Sequence, residues 1–467
     1  MSTDAQVPGT NTPARSGLHH LVFSAGLLGL ICCSALYSGA LNFLFMTSLP
    51  DQDRDWDGPT IVITHPENSA AVSTDNWPCL FGPLQNSTLN SSLMLSEAGP
   101  EKFEILWERE LGTGYSSPVI AGGVVYVPDR REDQVFLTAI LLDSGETLWE
   151  WSQPTDYVCP NPPHSSGPYS TPLVDGGFVY FLTAEGELIC LDAQTGEKHY
   201  SRPLSQEYSV PENVFAVGHT PLVYRDWLIL NLGGKPDAGL VALEKKTGEL
   251  VWKSTNFGDS YATPMIATIH GREIGFALTA EQAVSFDPET GSVFWNFPMQ
   301  AIADDFVNAT SPVHYGDLVI FSAYQAGTYT LRILPDGQYE QLRHDRRLLV
   351  SQFNPLTCRN GYLFGWHFFD KSFRCIDLAT GNLMWKCNTD IGRGTHLMFE
   401  NVCLLAGESG QLALVDPDPA GFSIKLEPDL PLLKEPAFSA PAYDGGRFVW
   451  RNEERIICFG IAEADPD

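Results

Sequence analysis

Short apolar runs with near-alternating polarity recur from about residue 104 onward, and Gly-rich turns separate them. A small residue followed by proline precedes each group of runs, and the successive prolines are 54, 49, 43, 48, 43 and 86 residues apart. These dipeptides are Ser117-Pro118, Thr171-Pro172, Thr220-Pro221, Thr263-Pro264, Ser311-Pro312, Asn354-Pro355 and Ala440-Pro441. Because the last interval is twice 43, a further repeat is expected from Gly394, where His396 replaces the proline. The pattern therefore predicts eight repeats.

Within a repeat, the apolar runs are typical of β-strands. Residues 172–192, PLVDGGFVYFLTAEGELICLD, contain two hairpin signals, Asp175-Gly176-Gly177 and Glu185-Gly186-Glu187. Apolar spacing near two, with frequent Gly-rich turns, excludes helical repeats. Four-stranded antiparallel units of this length are typical of propeller blades. We therefore predict an all-β, eight-bladed β-propeller over residues 104–462.

A turn followed by a tryptophan ends most repeats. The pattern Asp-x-x-Thr-Gly-x-x-x-Trp ends at Trp295 and Trp385, near copies end at Trp252 and Trp149, and Tyr200 takes the tryptophan position in the second repeat. Glycine supplies the positive φ of the turn, and the Asp and Thr side chains can bond nearby amides. We expect each tryptophan to pack on the neighbouring blade. The fifth and seventh repeats have degenerate turns and lack the tryptophan.

The eighth repeat lacks its last strand, since it ends at residues 455–460, RIICFG. The segment EILWEREL, residues 104–111, resembles the outer strands LVWKS and LMWKC. We therefore predict that this N-terminal strand completes the last blade and closes the ring, which removes the exposed sheet edges. The predicted interblade docking residues are Trp107, Trp149, Trp252, Trp295 and Trp385.

An uncharged apolar stretch occupies residues 21–49, and about 20 residues suffice to cross the hydrocarbon core as a helix. Arg15 precedes the stretch and four aspartates follow it, which predicts a cytoplasmic tail over residues 1–20 and a propeller in the periplasm or outside the cell. The alternative is a cleaved signal peptide, with Ser38 and Ala40 at the cleavage site. The apolar run continues past Ala40, which favours a retained single transmembrane helix.

Composition limits what the remaining regions can do. Residues 50–103 are rich in Asp, Asn, Ser and Pro, which predicts an extended linker with little core. The net charge of −29 leaves no surplus of Lys or Arg for phosphates, so no nucleic acid partner is expected. The cysteines form no C-x-x-C pair, so a zinc site is not indicated. Cys190, Cys375 and Cys458 fall in strand-like runs, where small buried side chains are expected.

The L-D-x-x-T-G-x-x-x-W unit resembles the pyrroloquinoline-quinone (PQQ) repeat, found in quinoprotein dehydrogenases and in non-enzymatic BamB-like propellers. The resemblance covers residues 104–462 and is closest in style to the BamB-like propellers. WPCLFGP, residues 77–83, also resembles the W-P-x-x-x-G-P lead-in of many propellers of this type. The resemblance implies the fold, whereas the repeat motif itself builds blades and binds no quinone.

In the quinoprotein dehydrogenases, the resemblance implies a quinone disc on the propeller axis, with a Trp floor, a ring of two adjacent cysteines and a Ca²⁺ held by Glu, Asn and a catalytic Asp. The adjacent cysteines here, Cys32 and Cys33, lie in the predicted membrane span. Asp304-Asp305 could supply a Ca²⁺ ligand or a base, but a solvated turn is the favoured interpretation. Four histidines lie at the entries of predicted blades: His164, His219, His367 and His396. Their scattered positions do not indicate that they bind one ligand together. We therefore expect no catalytic, cofactor-binding or metal-binding residue.

These observations favour a membrane-anchored, non-catalytic scaffold that binds a protein or peptide outside the cytoplasm, since blade-connecting loops offer a broad rigid face. The alternative is a quinoprotein oxidoreductase that uses PQQ with Ca²⁺. A sugar-binding propeller remains a third hypothesis, because the chain has 11 Trp and 16 Tyr residues.

Overall fold

A computed structural model describes residues 59–63, 76–95, 101–212, 215–300, 308–324, 326–387 and 391–463. The predicted cytoplasmic tail, residues 1–20, and the predicted membrane span, residues 21–49, lie outside these ranges. Within the described ranges, no helix is long and apolar enough to cross a membrane. The membrane span therefore stays a prediction.

Eight antiparallel sheets of four strands follow one another along the chain, which confirms the predicted eight-bladed, all-β propeller. Blades 1 and 2 consist of β2 (Val119–Ala121), β3 (Val124–Arg131), β4 (Gln134–Leu141), β5 (Thr147–Pro154), β6 (Leu173–Asp175), β7 (Phe178–Leu182), β8 (Leu188–Asp192) and β9 (Lys198–Arg202). After the one-turn helix α1 (Leu204–Glu207), blades 3 and 4 consist of β10 (Leu222–Tyr224), β11 (Trp227–Gly234), β12 (Ala238–Glu244), β13 (Leu250–Ser254), β14 (Met265–Ile269), β15 (Arg272–Leu278), β16 (Gln282–Phe286) and β17 (Val293–Pro298).

The second half of the ring repeats the same order of strands. Blades 5 and 6 consist of β18 (Val313–Tyr315), β19 (Leu318–Ala323), β20 (Gly327–Ile333), β21 (Tyr339–Asp345), β22 (Leu356–Arg359), β23 (Tyr362–Trp366), β24 (Phe373–Asp377) and β25 (Leu383–Cys387). Blades 7 and 8 consist of β26 (Gly394–Met398), β27 (Cys403–Gly407), β28 (Leu412–Asp416), β29 (Ser423–Leu426), β30 (Ala442–Asp444), β31 (Arg447–Arg451), β32 (Arg455–Glu463) and, from the N-terminal side, β1 (Glu101–Glu110).

The N-terminal strand β1 is the outer strand of blade 8. It pairs antiparallel with β32 from Glu101 opposite Glu463 to Glu110 opposite Arg455. This pairing confirms that EILWEREL completes the last blade. The strand begins at Glu101, ahead of the predicted start at residue 104, because the ladder continues to the end of β32.

The middle strands of each blade hold the core. Cys190, Cys375 and Cys458 lie on β8, β24 and β32 as free thiols with no exposed surface, which confirms the expectation of small buried side chains. Burial raises the pKa of the Cys190 and Cys458 thiols to about 12. These thiols are therefore protonated packing groups at neutral pH.

The repeated small residue before proline ties neighbouring blades together near the axis. The Ala440 backbone N–H donates to Ser117 Oγ at 2.8 Å, and the Ser117 N–H donates to Thr171 Oγ1 at 3.0 Å. Thr263 and Ser311 repeat this bond at 3.0 Å between blades 4 and 5. The hydroxyl thus satisfies a donor of the preceding blade, and the proline after it, which has no N–H, leads into the inner strand.

Residues 76–95, which we call the strap, cross the propeller axis on one side. The Val174 N–H of blade 2 donates to Pro78 O at 2.8 Å, and the Thr357 hydroxyl of blade 6 donates to Asn86 O at 2.6 Å. Blades 2 and 6 lie opposite each other in a ring of eight. The strap therefore spans the ring from one side to the other.

The strap also contributes to the core. Trp77, Leu89 and Leu93 are 1%, 2% and 4% exposed and pack in one cluster with inner strands of blades 1, 7 and 8. The expectation that residues 50–103 hold little core is therefore wrong for the strap. Local composition suggested a linker, whereas the burial comes from partners distant in sequence.

Candidate functional site

The five predicted docking tryptophans lie on outer strands, and each indole N–H donates to a carbonyl of the next blade. The bonds are Trp107 to Leu142 O at 2.7 Å, Trp149 to Ala193 O at 3.1 Å, Trp252 to Pro288 O at 3.1 Å, Trp295 to Gly337 O at 3.1 Å and Trp385 to Asp418 O at 2.8 Å. The structure thus places these residues at the blade junctions and away from the axis.

Two junctions use other side chains. The Tyr200 hydroxyl donates to Lys245 O at 2.9 Å, in the same position as the indoles. In blade 5, Arg343 donates from Nη1 to Leu378 O of blade 6 at 3.3 Å. Sequence reasoning missed Arg343, because the β20–β21 hairpin is longer and moves this residue out of the four-residue spacing after the turn glycine.

A cavity of about 410 Å³ lies at the axis of the ring, and we call it the axial cavity. All eight blades contribute to its wall through the segments that lead into their inner strands. The lining residues are Leu80, Phe81, Tyr115, Ser117, Asn161, His164, Tyr169, Thr171, Phe215, Gly218, Tyr261, Ala309, Gln352, Phe353, Arg393, Thr395, Phe438 and Ala440. Leu80 and Phe81 belong to the strap, so the strap bounds the cavity on one side.

Six half-buried rings follow one another around this wall, and we call them the aromatic arc: Tyr261, Phe215, Tyr169, Tyr115, Phe438 and Phe353. Successive ring centroids are 6.2, 6.4, 4.8, 5.0 and 5.8 Å apart. Burial raises the pKa of all three phenols, with that of Tyr115 reaching about 12, so the arc is uncharged at neutral pH.

The cationic group on the wall, Arg393, is already paired. Its Nη2 lies 2.9 Å from Glu408 Oε2, and its Nη1 donates to Gln352 Oε1 at 2.6 Å. The guanidinium also lies 5.4 Å from the Phe353 ring centroid and 4.8 Å from that of Phe368. These contacts hold the side chain in place and balance its charge.

Thr395 supplies an unused polar group beside Arg393. The residue is 5% exposed and lines the axial cavity. Its hydroxyl has no hydrogen-bond partner among the residues that the structure describes. A buried hydroxyl without a partner is unfavourable, so a ligand group that bonds it gains stability.

The four histidines singled out in the sequence have different surroundings. His164 lines the cavity, with its ring 4.9 Å from that of Phe215. His219 and His396 are buried, and burial lowers their pKa to about 4 and about 3. His367 Nδ1 lies 2.9 Å from Asp370, and burial lowers its pKa as well. His164 is therefore a residue of the cavity wall, whereas His219, His367 and His396 are buried and neutral.

The described lining does not fit a calcium-bound quinone. Of the lining residues, none carries a carboxylate, whereas Ca²⁺ is bound by oxygen ligands that include Asp or Glu. In the described ranges, no group of three or more His, Cys, Asp and Glu side chains could hold a metal ion. Leu80 and Phe81 line the strap side, and none of the lining residues is the tryptophan that the resemblance to the dehydrogenases implies as a floor. Cys32, Cys33 and the pair at 304–305 lie outside the described residues.

Sequence reasoning missed the aromatic arc, although a signal for it exists. An aromatic residue stands two positions before the small residue of the repeated dipeptide in four repeats, at Tyr115, Tyr169, Tyr261 and Phe438. Since this dipeptide leads into each inner strand, a side chain at a fixed distance before it faces the axis in every blade. The fixed spacing between these aromatic residues and the following proline therefore predicts that they line the axis.

A second cavity, of about 760 Å³, lies beside the strap and the inner strands of blades 2 to 5. The two carboxylates of the described lining are paired. Asp175 Oδ2 lies 2.9 Å from Lys245 Nζ, and Glu273 accepts from Tyr224 Oη and from Arg225 Nη2, both at 2.8 Å. Neither carboxylate is therefore an unpaired charge that awaits a ligand.

Comparison with known proteins matches residues 137–365 to the family model described as outer membrane protein assembly factor BamB. BamB of Burkholderia pseudomallei (strain K96243) is 26% identical over 235 residues, which cover 48% of this chain and 55% of the relative. The quinoprotein ethanol dehydrogenase of Pseudomonas aeruginosa is 26% identical over 150 residues, which cover 28% of this chain and 23% of that enzyme. The chain thus spans about half of the first relative and a quarter of the second.

A comparison with solved structures finds a similar fold in BamB. The crystal structure of BamB from Moraxella catarrhalis superposes with a TM-score of 0.56 at 14% sequence identity and covers 78% of this chain and 99% of that one. At this identity the likeness concerns the fold. The repeats and the eight closed blades make the chain an eight-bladed β-propeller, and these matches show that it resembles the PQQ-like repeat propellers, BamB among them.

Proposed function

We propose that this chain is a non-catalytic scaffold that binds a polypeptide partner through the mouth of the axial cavity, opposite the strap. Residues 21–49 hold it in a membrane as a single helix, the N-terminus is cytoplasmic, and the propeller lies in the periplasm or outside the cell. Nucleic acid is no partner, because the net charge is −29.

The observation that carries this proposal is the aromatic wall of the axial cavity. Pockets that bind ligands or partner side chains are lined by apolar and aromatic groups with a few polar groups among them. The six rings of the aromatic arc meet this description, with Thr395, Gln352 and Asn161 as the polar groups. A wall built from eight blades is rigid, which reduces the entropy lost on binding.

The comparison with BamB supports the same class of function, because that relative is named as an assembly factor and not as an enzyme. An assembly factor acts by contact with other proteins. The aligned part covers only half of that relative, so its partners are not carried over.

The alternative is a quinoprotein oxidoreductase, which the match to quinoprotein ethanol dehydrogenase favours. The described wall gives this alternative less support, since it carries aromatic rings where carboxylate ligands would be needed. The two hypotheses differ in whether the axial cavity holds a side chain or a cofactor.

The test is site-specific photocrosslinking in cells. A benzophenone amino acid is placed at Phe353 in the cavity wall or, as the control, at Phe178 beside the β6–β7 turn on the strap side. We expect one defined protein adduct from position 353 and none from position 178. A third strain carries the label at 353 together with Ala309→Trp, which places an indole in the cavity and obstructs it without removing a core side chain.

The proposal requires that Ala309→Trp abolish the adduct while the protein level and melting temperature stay unchanged. It also requires that the purified partner bind the wild-type chain and not the Ala309→Trp variant. Equal labelling from both faces, or an adduct that persists in the Ala309→Trp variant, would contradict the proposal.

A further inference from the structure

The axial cavity has the size of a small cluster of side chains. A cavity of about 150 Å³ accommodates one benzene ring, so 410 Å³ has room for roughly two or three such groups. The occupant is therefore larger than one side chain and much smaller than a folded element.

The charges of the described lining favour a neutral occupant. This lining has no carboxylate, and its cation Arg393 is neutralised by Glu408 at 2.9 Å. A charged ligand group would lose its hydration without gaining an ion pair from these residues, which is costly in an apolar site. Both an ammonium and a carboxylate are disfavoured for this reason.

At the end of the aromatic arc formed by Tyr115, Phe438 and Phe353, the arrangement of the rings disfavours sugars and quaternary cations. Tyr115 and Phe353 both meet Phe438 nearly perpendicularly, at 90° and 81°. In such pairs the edge of one ring covers the face of another. Cations need an open ring face, and so does the stacking of a sugar ring, whereas aliphatic and aromatic side chains also pack well against ring edges.

The strap determines how a chain can enter. Because it crosses from blade 2 to blade 6 and Leu80 and Phe81 line the cavity, a polypeptide that enters from the other side meets the strap and must leave through the same mouth. A chain terminus could enter in this way, but it carries a charge. A turn has no terminal charge, and its exposed peptide groups need hydrogen-bond partners.

We infer that the axial cavity binds the tip of an apolar turn of the partner polypeptide, with aromatic or aliphatic side chains among the rings and a main-chain amide bonded to the Thr395 hydroxyl. The inference rests on the proposed function and adds the chemistry of the partner. Thr395 is suited to this role, because the residue lines the cavity and its buried hydroxyl has no partner among the described residues.

The experiment measures binding of small probes to the full-length chain by ligand-observed NMR. The probes are N-acetyl-tryptophanamide, which is neutral, N-acetyl-tryptophan, which is anionic, tryptophanamide, which is cationic, and N-acetylglucosamine. We expect the neutral amide to bind at millimolar concentration, at least about tenfold more tightly than either charged relative. The sugar is expected not to bind.

The variants locate the site and identify the role of Thr395. Ala309→Trp should abolish binding and Phe353→Ala should weaken it about tenfold, while Phe178→Ala on the strap side should leave it unchanged. Thr395→Val should weaken N-acetyl-tryptophanamide about three- to tenfold and leave the binding of plain indole unchanged. Far-UV circular dichroism and melting temperatures verify that each variant is folded.

Equal binding of the charged and neutral probes, binding of the sugar, or no binding of the neutral amide would overturn the inference. An equal loss of indole and amide binding in Thr395→Val would contradict the hydrogen bond assigned to the Thr395 hydroxyl. These failures are distinguishable from failure of the proposed function, because crosslinking in cells detects a protein partner whatever the chemistry of its tip.

Discussion

Replacement of Gly291 by alanine tests the contact that repeats at the blade junctions. Gly291 lies in the β16–β17 turn of blade 4 with φ +72°, and Trp252 of blade 3 covers it. A Cβ atom at this position would lie 2.5 Å from Trp252 Cε3, closer than real Cβ contacts allow. Trp252 is 8% exposed and is held by its bond to Pro288 O, so it cannot move aside freely.

The expected cost has two parts. A non-glycine residue in the left-handed region costs about 1–2 kcal/mol, and forcing an extra methyl group into a packed site costs about 1–3 kcal/mol. Gly291→Ala should therefore lower the free energy of unfolding by about 2–5 kcal/mol.

Gly271, in the β14–β15 turn of the same blade, is a matched control. Its φ is +73°, and no atom lies within 4 Å of the position of an added Cβ. Gly271→Ala should therefore show the backbone cost alone, about 1–2 kcal/mol. The difference between the two variants measures the contact with Trp252.

The assay is urea unfolding of the full-length chain, followed by far-UV circular dichroism, with free energies from the midpoint and slope. Trp252→Ala alone should cost about 3–5 kcal/mol. In that background the clash is absent, so Gly291→Ala should fall to the cost seen at Gly271. Equal costs for the two glycine variants, together with additivity of Gly291→Ala and Trp252→Ala, would refute the reasoning.

Three further predictions concern closure, pH and the membrane span. Fragments that begin at residues 102 and 112 both lack the strap and differ only in β1. We expect a cooperative melting transition in the first fragment and its loss in the second, because β1 includes Trp107, whose burial contributes about 3–5 kcal/mol. Coincident melting temperatures would mean that the ring does not need β1 to close. The pKa of buried His219 falls from 6.5 to about 4, so the unfolded chain binds the extra proton as pH falls through this window and stability drops by about 3 kcal/mol. His219→Phe should reduce the slope of unfolding free energy against pH between these values, with the remaining slope due to other buried histidines such as His396, and an unchanged slope would argue against a neutral buried imidazole at position 219. Residues 21–49 should be present in the protein isolated from membranes, as mass spectrometry can determine, and a mature N-terminus near Leu41 would contradict the anchor.

The blades could be predicted because their signals are local and repeated. The proline dipeptides and the turns before Trp295 and Trp385 lie within one repeat each, so the sequence alone gives their number and order. The closing strand was also predictable, because EILWEREL carries the same outer-strand pattern that RIICFG lacks.

The strap and the axial cavity depend on contacts between distant residues. Trp77 lies in a polar stretch, and its burial against Ile120 is visible only once blade 1 has formed. Arg343 replaces a tryptophan through a longer hairpin, which no fixed spacing reveals. The aromatic arc combines residues from separate blades, each of which alone is consistent with ordinary core packing.

The central proposal is that the axial cavity binds a polypeptide and not a quinone, and cofactor retention tests it most directly. The purified full-length chain is incubated with pyrroloquinoline quinone and CaCl₂, passed through a desalting column and examined by absorption spectroscopy. We expect the quinone absorbance to be lost on the column and the melting temperature to stay unchanged, because the described wall has no carboxylate for Ca²⁺. Retention of one quinone per chain, with a calcium-dependent rise in melting temperature that Ala309→Trp abolishes, would contradict the scaffold function and favour the oxidoreductase.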